Sequence, residues 1–174
     1  MYAGLADAVV PSSGLASLWE SIAGQGALAS TSGAVMEESS LAQDEDAIER
    51  YYGLPTAREI IGALESDDSA FAKETAAQLR QRSPLMLHVT LEQLRRAKSM
   101  TLADDLRMER GLMRHCFHLR PVAESETVEG IRALAIDKDQ KPRWSPARIE
   151  DVTPEMVQAF FEPPWPAHAN PLRD

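Results

Sequence analysis

The stretch SETVEGIRALAIDKDQKPRWSP, residues 125–146, decides the fold of this 174-residue chain. Its first part is amphipathic, with these apolar residues on one side: Val128, Ile131, and Leu134 or Ala135. The charged cluster Asp137-Lys138-Asp139 interrupts that pattern. The last part should be extended, because Pro142 and Pro146 remove backbone donors and restrict the residues before them. We therefore expect a short helical segment, a charged break and an extended segment.

The stretch resembles the C-terminal signature of the 3-hydroxyisobutyryl-CoA hydrolases, the hydrolase branch of the crotonase (enoyl-CoA hydratase/isomerase) superfamily. The shared pattern, E-G-x-R-A-x-x-I-D-K-D-x-x-P-x-W, occupies residues 129–144. So many positions at fixed spacing make a specific signal. Three further matches are A-G-L-A-x-x-x-V-P-S at residues 3–12, S-P-x-x-L-x-x-T at 83–90 and L-x-M-E at 106–109. The resemblance therefore extends over nearly the whole chain.

The resemblance implies a mainly α fold: the helical C-terminal portion of a crotonase-type α/β fold, with at most a short strand near residues 8–10. These landmarks belong to the family's second half, so we read Met1 as a position internal to a longer protein. The crotonase reaction needs two backbone N–H groups aimed at a thioester oxygen. This chain has 9 glycines but no Gly-Gly pair. The resemblance therefore implies that the catalytic residues lie outside it, and we assign none.

The composition restricts partners and location. A net charge of −9 argues against a nucleic-acid partner, which normally requires a basic face. No apolar run reaches the length of a membrane span, and the first residues lack the charged start of a signal peptide. A single cysteine, Cys116, excludes an internal disulfide and suits a reducing compartment. We expect a cytoplasmic protein.

The organisation along the chain predicts three regions. Residues 1–43 should hold the end of the crotonase core, a helix capped by Ser13, and a flexible connection rich in glycine and serine. Residues 44–162 should be a helical region, beginning with an acidic helix over 44–52. Residues 163–174 should be a proline-rich tail without regular structure.

Cap residues predict the helix starts within the helical region. The expected N-caps are Thr56 (with Glu59), Asp67 or Asp68, Ser83 (before Pro84), Thr101 and Thr153 (before Pro154). Apolar spacing predicts that the helix after Ser83 turns Leu87, Leu91 and Leu94 inward. The helix after Thr101 carries a stripe of four apolar residues, namely Leu102, Leu106, Met113 and Phe117. Glu109 shares that face, so we expect it to be partly buried and paired with Arg132, with Lys138 as the second choice.

The resemblance also implies one ligand contact. The wider superfamily carries E-G-x-x-A-F-x-E-K-R here, and its lysine touches the phosphates or the adenine end of coenzyme A. Lys138 is the matching residue, although this chain adds Ile136 and has Asp139 in place of the basic residue. The alternative is an exposed lysine between two aspartates. Glu126 stands where the family has an aspartate.

Other candidate sites are weaker. His115, Cys116 and His118 could offer zinc ligands, but neighbouring positions on a helix point about 100° apart. We therefore expect no metal site. The three tryptophans Trp19, Trp144 and Trp165 are interpreted as packing anchors.

The functional expectation is the C-terminal part of an acyl-CoA thioester hydrolase, inactive without its N-terminal half. Coenzyme A would enter as part of the small-molecule substrate, with no separate cofactor. A second hypothesis is an enoyl-CoA hydratase or isomerase of the same superfamily. A third is a non-catalytic fragment or partner module. In each case we expect association with the missing N-terminal half or self-association, because a helical half should expose apolar faces.

Overall fold

Helices and turns make up all the regular structure in the computed structural model, which describes residues 10–26, 43–166 and 168. The α-helices are α1 (Leu15–Gln25), α2 (Glu45–Tyr52), α3 (Ala57–Glu65), α4 (Ala70–Arg80), α5 (Pro84–Ala97), α6 (Leu102–His118), α7 (Glu126–Ile131) and α8 (Pro154–Gln158). Short 3-10 turns lie at Ser12–Gly14, Val122–Glu124, Ile149–Asp151 and Ala159–Phe161, and a π-helical turn at Arg132–Ile136. The mainly α class is confirmed. Of the strand expected near residues 8–10, only Val10 is described, and it belongs to no regular element.

The chain divides into two compact units, residues 1–50 and 51–174. In the first unit, Ser13 lies inside the 3-10 turn that precedes α1, so its prediction as an N-cap is wrong. Gly26 ends α1 in the left-handed conformation, with φ 64° and its N–H donating to the Ile22 carbonyl at 2.9 Å. The predicted flexible connection lies mostly outside the described residues, and the three predicted regions stay a prediction.

Four of the predicted N-caps in the second unit are confirmed. Their side-chain oxygens accept from backbone N–H groups two or three positions into the helix, at Thr56 (3.1 Å), Ser83 (3.2 Å), Thr101 (3.2 Å) and Thr153 (3.4 Å). The prediction for α4 is wrong, because Ser69 is the cap. Asp67 instead accepts from the Ser69 N–H at 2.7 Å and from the Tyr51 hydroxyl at 2.7 Å. This carboxylate therefore fixes the backbone just before α4.

The main core lies where α5, α6 and the turn after α8 meet. Its buried residues are Leu85, Val89, Leu112 and Phe160. A second cluster joins Ala57 and Ile61 of α3 to Ile149, and the half-buried Leu87 and Leu91 pack against it. The inward face of α5 is therefore centred on Leu85 and Val89. Leu94 is 60% exposed, which corrects the prediction that it points inward.

Helix α6 faces the core with a different side from the one that its longest apolar stripe suggests. The inner side carries Met108, Leu112 and Cys116, at helical spacing. The outer side carries what we call the α6 stripe, with these exposures: Leu102 75%, Leu106 51%, Met113 61% and Phe117 39%. The core contact is therefore made by a different face of the helix, and the four-residue stripe points to solvent.

The tail after the last turn packs on α6. A Cβ on Gly111 would lie 3.6 Å from the Pro164 ring, at ordinary van der Waals distance, so the tail passes next to this residue. The Trp165 ring lies near two guanidinium groups, 5.6 Å from that of Arg110 and 5.5 Å from that of Arg114. Trp165 is thus a packing anchor, as predicted, whereas Trp19 is 74% exposed, so the same prediction is wrong for Trp19. None of the helices in the described ranges is long and apolar enough to cross a membrane.

Candidate functional site

The signature segment folds as a short helix that widens before its charged cluster. The Ser125 hydroxyl accepts from the Val128 N–H at 3.3 Å and begins α7. A π-helical turn follows over Arg132–Ile136, and the Asp137 N–H donates to the Arg132 carbonyl at 2.8 Å. The predicted apolar side is corrected here, because Ala133 is the fully buried residue. The larger side chains are exposed: Ile131 44%, Leu134 56% and Ile136 70%.

Arg132 is the centre of a charged cluster, which we call the Arg132 cluster and which includes Glu129, Asp137 and Asp139. Its Nε and Nη2 groups donate to the two Glu129 oxygens at 2.9 and 2.7 Å. Nη1 donates to Asp137 at 2.7 Å and to Asp139 at 2.8 Å. Nη2 also donates to the Lys141 carbonyl at 3.0 Å. An arginine has five N–H donors, so every donor of this guanidinium has a partner.

These contacts shift the ionisation of both partners. The hydrogen bonds from Arg132, followed by the one from the Arg143 N–H, lower the pKa of Glu129 from 4.5 to about 2. The hydrogen bonds to Glu129, Asp139 and Asp137 raise the pKa of Arg132 above its ordinary value. The Arg143 N–H reaches Glu129 at 2.6 Å. The cluster thus ties the turn after α7 to the extended segment that follows.

Lys138 lies at the exposed tip of this turn. Its backbone is left-handed, with φ 57°, and Gln140 has φ 56°. Both neighbouring aspartates bind Arg132. Among the residues that the structure describes, no carboxylate forms an ion pair with Lys138. The alternative of an exposed lysine between two aspartates agrees with this geometry, and the ligand contact of Lys138 stays a prediction.

Glu109 does not pair with Arg132, and that prediction is wrong. Glu109 is exposed on α6 and accepts from Gln93 Nε2 at 3.3 Å. The error follows from the orientation of α6, because the residues around Glu109 face solvent and impose no desolvation cost on it. The guanidinium of Arg132 instead donates its hydrogen bonds to acidic residues close to it in sequence.

Sequence reasoning missed the role of Glu126. This carboxylate is 5% exposed. It accepts a short hydrogen bond from the Ser83 hydroxyl and another from the Ser145 N–H at 2.8 Å, and Arg120 lies 3.7 Å away. Glu126 therefore connects the start of α5 to the end of the signature. The signal was present, since the family carries an acidic residue at this position.

A cleft of about 460 Å³ opens above this buried contact. Ser83 and Glu126 line it together with Trp144, whose indole Nε1 donates to the Gln81 carbonyl at 3.1 Å. A Cβ on Gly130 would lie 3.4 Å from the Trp144 ring, so this ring packs against α7 at the glycine of the signature. Trp144 is thus an anchor of the fold, as predicted.

Histidine side chains serve local structure. His115 Nε2 lies 2.8 Å from the Glu162 carbonyl, where the tail crosses α6. Burial lowers the pKa of His88, a hydrogen bond with the Ile149 backbone partly offsets this, and the charge of Arg58 adds to the lowering. Within the described ranges, no three His, Cys, Asp or Glu side chains are grouped as metal ligands would be.

Several curated proteins are similar to this chain. A small ribosomal subunit protein, mS47, from Arabidopsis thaliana is 35% identical, over 73% of this chain and 32% of that protein. A mitochondrial 3-hydroxyisobutyryl-CoA hydrolase from Gallus gallus is 36% identical, over 73% of this chain and 32% of the relative. The Homo sapiens hydrolase is 37% identical, over 70% of this chain and 30% of the relative. The chain thus spans about a third of the length of the curated relatives it matches.

Solved structures agree in fold. An enoyl-CoA hydratase from Rhodobacter sphaeroides superposes with a TM-score of 0.80 at 35% identity, over 93% of this chain and 46% of that one. A carnitinyl-CoA dehydratase from Mycobacterium thermoresistibile gives 0.77 at 34% identity, over 91% and 45%. The family model for enoyl-CoA hydratase/isomerase matches residues 1–161. The chain belongs to the enoyl-CoA hydratase/isomerase (crotonase) family, in the branch related to the 3-hydroxyisobutyryl-CoA hydrolases.

Proposed function

We propose that this chain is the C-terminal part of an acyl-CoA thioester hydrolase acting on a short 3-hydroxyacyl-CoA, as in valine breakdown. The observation that supports this choice is the Arg132 cluster. Arg132, Asp137 and Asp139 belong to the E-G-x-R-A-x-x-I-D-K-D signature of the hydrolase branch, and in the fold hydrogen bonds join them in one cluster. Identities of 36% and 37% to hydrolases of that name point the same way.

Lys138 is the residue we propose to contact coenzyme A. Its ammonium is exposed, and the two aspartates beside it are bound by Arg132. A lysine without a carboxylate partner is a compact positive charge suited to a phosphate. The proposed contact is with the phosphates or the adenine end of the coenzyme, and coenzyme A belongs to the substrate.

Catalysis requires more of the family's fold than this chain, in our proposal. The chain covers 32% of the Gallus gallus hydrolase, and we assign no catalytic residue within it. The α6 stripe exposes enough apolar surface for a partner. We propose that the N-terminal half of the fold, or a second copy of this chain, covers it. A cytoplasmic location stays a prediction, while the relatives from chicken and human are named as mitochondrial.

Two other functions have an observation in their favour. The solved structures carry the names of an enoyl-CoA hydratase and a carnitinyl-CoA dehydratase, which supports hydration or dehydration of an acyl-CoA. The similarity to a ribosomal subunit protein supports a non-catalytic partner module. The net charge of −9 counts against direct contact with RNA in that role.

Thiol release separates these functions. The purified chain should not release coenzyme A from 3-hydroxyisobutyryl-CoA above a buffer blank, and turnover by the chain alone would refute the proposal that it needs a partner. Co-expression with the N-terminal half of a hydrolase relative should give hydrolysis. Hydration of crotonyl-CoA by that assembly, without hydrolysis, would favour the hydratase function. An assembly that forms but leaves both substrates unchanged would favour the partner module.

A further inference from the structure

We infer that Arg132 is a positioning residue, which holds the turn at residues 137–141 in the conformation that presents Lys138 to an anionic ligand. The inference rests on the proposed contact of Lys138 with coenzyme A and adds the group that prepares it. Three observations carry it: the donors of Arg132, the π-helical turn, and the backbone conformation of the turn.

The donors of Arg132 exclude direct ligand contact. All five N–H groups are engaged, on Glu129, Asp137, Asp139 and the Lys141 carbonyl. The side chain is 19% exposed, whereas Lys138 is an exposed residue. A phosphate could bind Arg132 only by displacing one of these acceptors. Arg132 therefore acts through the turn.

The π-helical turn explains the residue that this chain adds to the wider superfamily pattern. A π-helix closes its hydrogen bond over one residue more than an α-helix. Here the N–H of Asp137 donates to the carbonyl of Arg132, while the Asp137 carboxylate accepts from the guanidinium of the same residue at 2.7 Å. The second change in the pattern is an acidic residue at 139, and the carboxylate of Asp139 also accepts from Arg132. Both changes thus serve one cluster.

The conformation of the turn needs such support. Lys138 and Gln140 both carry a Cβ and both have a left-handed backbone, which is unfavourable for such residues. The Gln140 N–H donates to the Ala133 carbonyl at 3.1 Å, and the Lys141 N–H to Asp139 Oδ1 at 2.8 Å. Arg132 fixes Asp139 and the Lys141 carbonyl together. Both aspartates beside Lys138 bind Arg132, and no carboxylate in the described part of the chain pairs with Lys138, so its charge is available for a phosphate.

Amide hydrogen exchange of the 174-residue chain tests the positioning directly. Arg132→Met should raise the exchange rates of the Gln140 and Lys141 amides about tenfold or more. Asp139, the acceptor of the Lys141 N–H, loses its anchor, and the turn that holds the Gln140 N–H against the Ala133 carbonyl loses its contacts with Arg132. Arg132→Lys should give a smaller rise, since an ammonium has three donors and no planar fork. Arg148→Met is the matched control, because it removes the same charge from an exposed site and should leave these amides unchanged. Unchanged exchange in Arg132→Met would overturn the inference.

Coenzyme A itself is the probe for the ligand, measured by isothermal titration. Lys138→Met and Arg132→Met should each weaken its binding about two- to fivefold, the effect of one partly exposed charge pair. Lys141→Met, which removes an exposed lysine of the same turn, should not. Arg132→Met should give no further loss when Lys138 is already methionine. An equal loss in that background would overturn the inference, because Arg132 would then act independently of Lys138.

The two proposals fail in different ways. If the parent chain does not bind coenzyme A, or if Lys138→Met binds it as the parent does, the proposed contact of Lys138 is refuted. The exchange data still decide whether Arg132 holds the turn. If Arg132→Met does not fold, as judged by circular dichroism, the Arg132→Lys variant carries both measurements.

Discussion

Replacing Glu126 by alanine should destabilise the fold by about 3–4 kcal/mol, the effect of breaking a buried charged contact. The carboxylate is 5% exposed and accepts from two donors in different parts of the chain. One is the Ser83 hydroxyl at the start of α5, and the other is the Ser145 N–H at 2.8 Å. The substitution therefore leaves one buried donor and one partly buried donor without an acceptor.

The size of the loss follows from those two donors. Each unsatisfied buried donor costs about 1–3 kcal/mol. Ser145 is itself exposed, so the cost for its N–H lies at the low end of this range. Ser83 is 6% exposed, so the cost for its hydroxyl lies at the high end. Arg120 keeps its hydrogen bonds to the Glu124 and Ser145 carbonyls in the variant, so it adds little to the cost. Glu126→Gln keeps one acceptor oxygen, so its cost should be about 1–2 kcal/mol.

Urea unfolding followed by circular dichroism measures these differences in stability. A variant that shifts the midpoint of unfolding but leaves the dependence of the free energy on urea unchanged has changed in stability. Glu124→Ala is the matched control, because it removes an exposed carboxylate two residues away and should change stability by less than about 0.5 kcal/mol. Ser83→Ala and Glu126→Ala together should cost clearly less than their sum, since they share one hydrogen bond. A Glu126→Ala protein as stable as the parent would refute the reasoning.

Other expected outcomes concern the core, the response to pH and the exposed surface. Leu85→Ala, at a fully buried site, should cost about 3 kcal/mol, whereas Leu94→Ala, at a site 60% exposed, should stay within about 0.5 kcal/mol; urea unfolding measures both. The pKa of His88 is lowered by burial, so the unfolded chain binds a proton more readily; stability should fall as the pH drops below 6.5, and His88→Gln should flatten that slope. The pKa of Glu129 is lowered from 4.5 to about 2, so its stabilising effect holds above pH 4.5 and is lost as the pH falls towards 2; a parallel titration of Glu129→Gln that tracked the parent would contradict this. The α6 stripe predicts concentration-dependent association in sedimentation, reduced in Leu106→Glu, and a parent that stays monomeric at high concentration would count against it.

Local rules predicted the helix starts well, because a cap involves only neighbouring residues. Thr56, Ser83, Thr101 and Thr153 each satisfy a backbone donor of their own first turn. The rule failed at Ser69, because Asp67, two residues earlier, is also a residue type that favours the N-cap position. There the choice depended on Tyr51, which is distant in sequence and binds Asp67.

Helix orientation was harder, because periodicity shows that a stripe exists but not what it faces. On α6 the four-residue apolar stripe faces outward, and the core contact is made by Met108, Leu112 and Cys116. The position of Glu109 was misjudged for the same reason. In the candidate site, Lys138 was found through the family pattern. The five contacts of Arg132 depend on a π-helical turn that no simple periodicity predicts.

The two sides of α6 make folding and assembly separately accessible to mutation. The stripe on the outer side is exposed in the folded chain and in the unfolded chain alike, so it contributes little to the free energy of folding. The inner side carries the folding contribution of the helix. Substitutions on the outer side could therefore change the exposed surface of the chain while the helical scaffold stays intact. A domain with this arrangement is well suited to being reused in a new assembly.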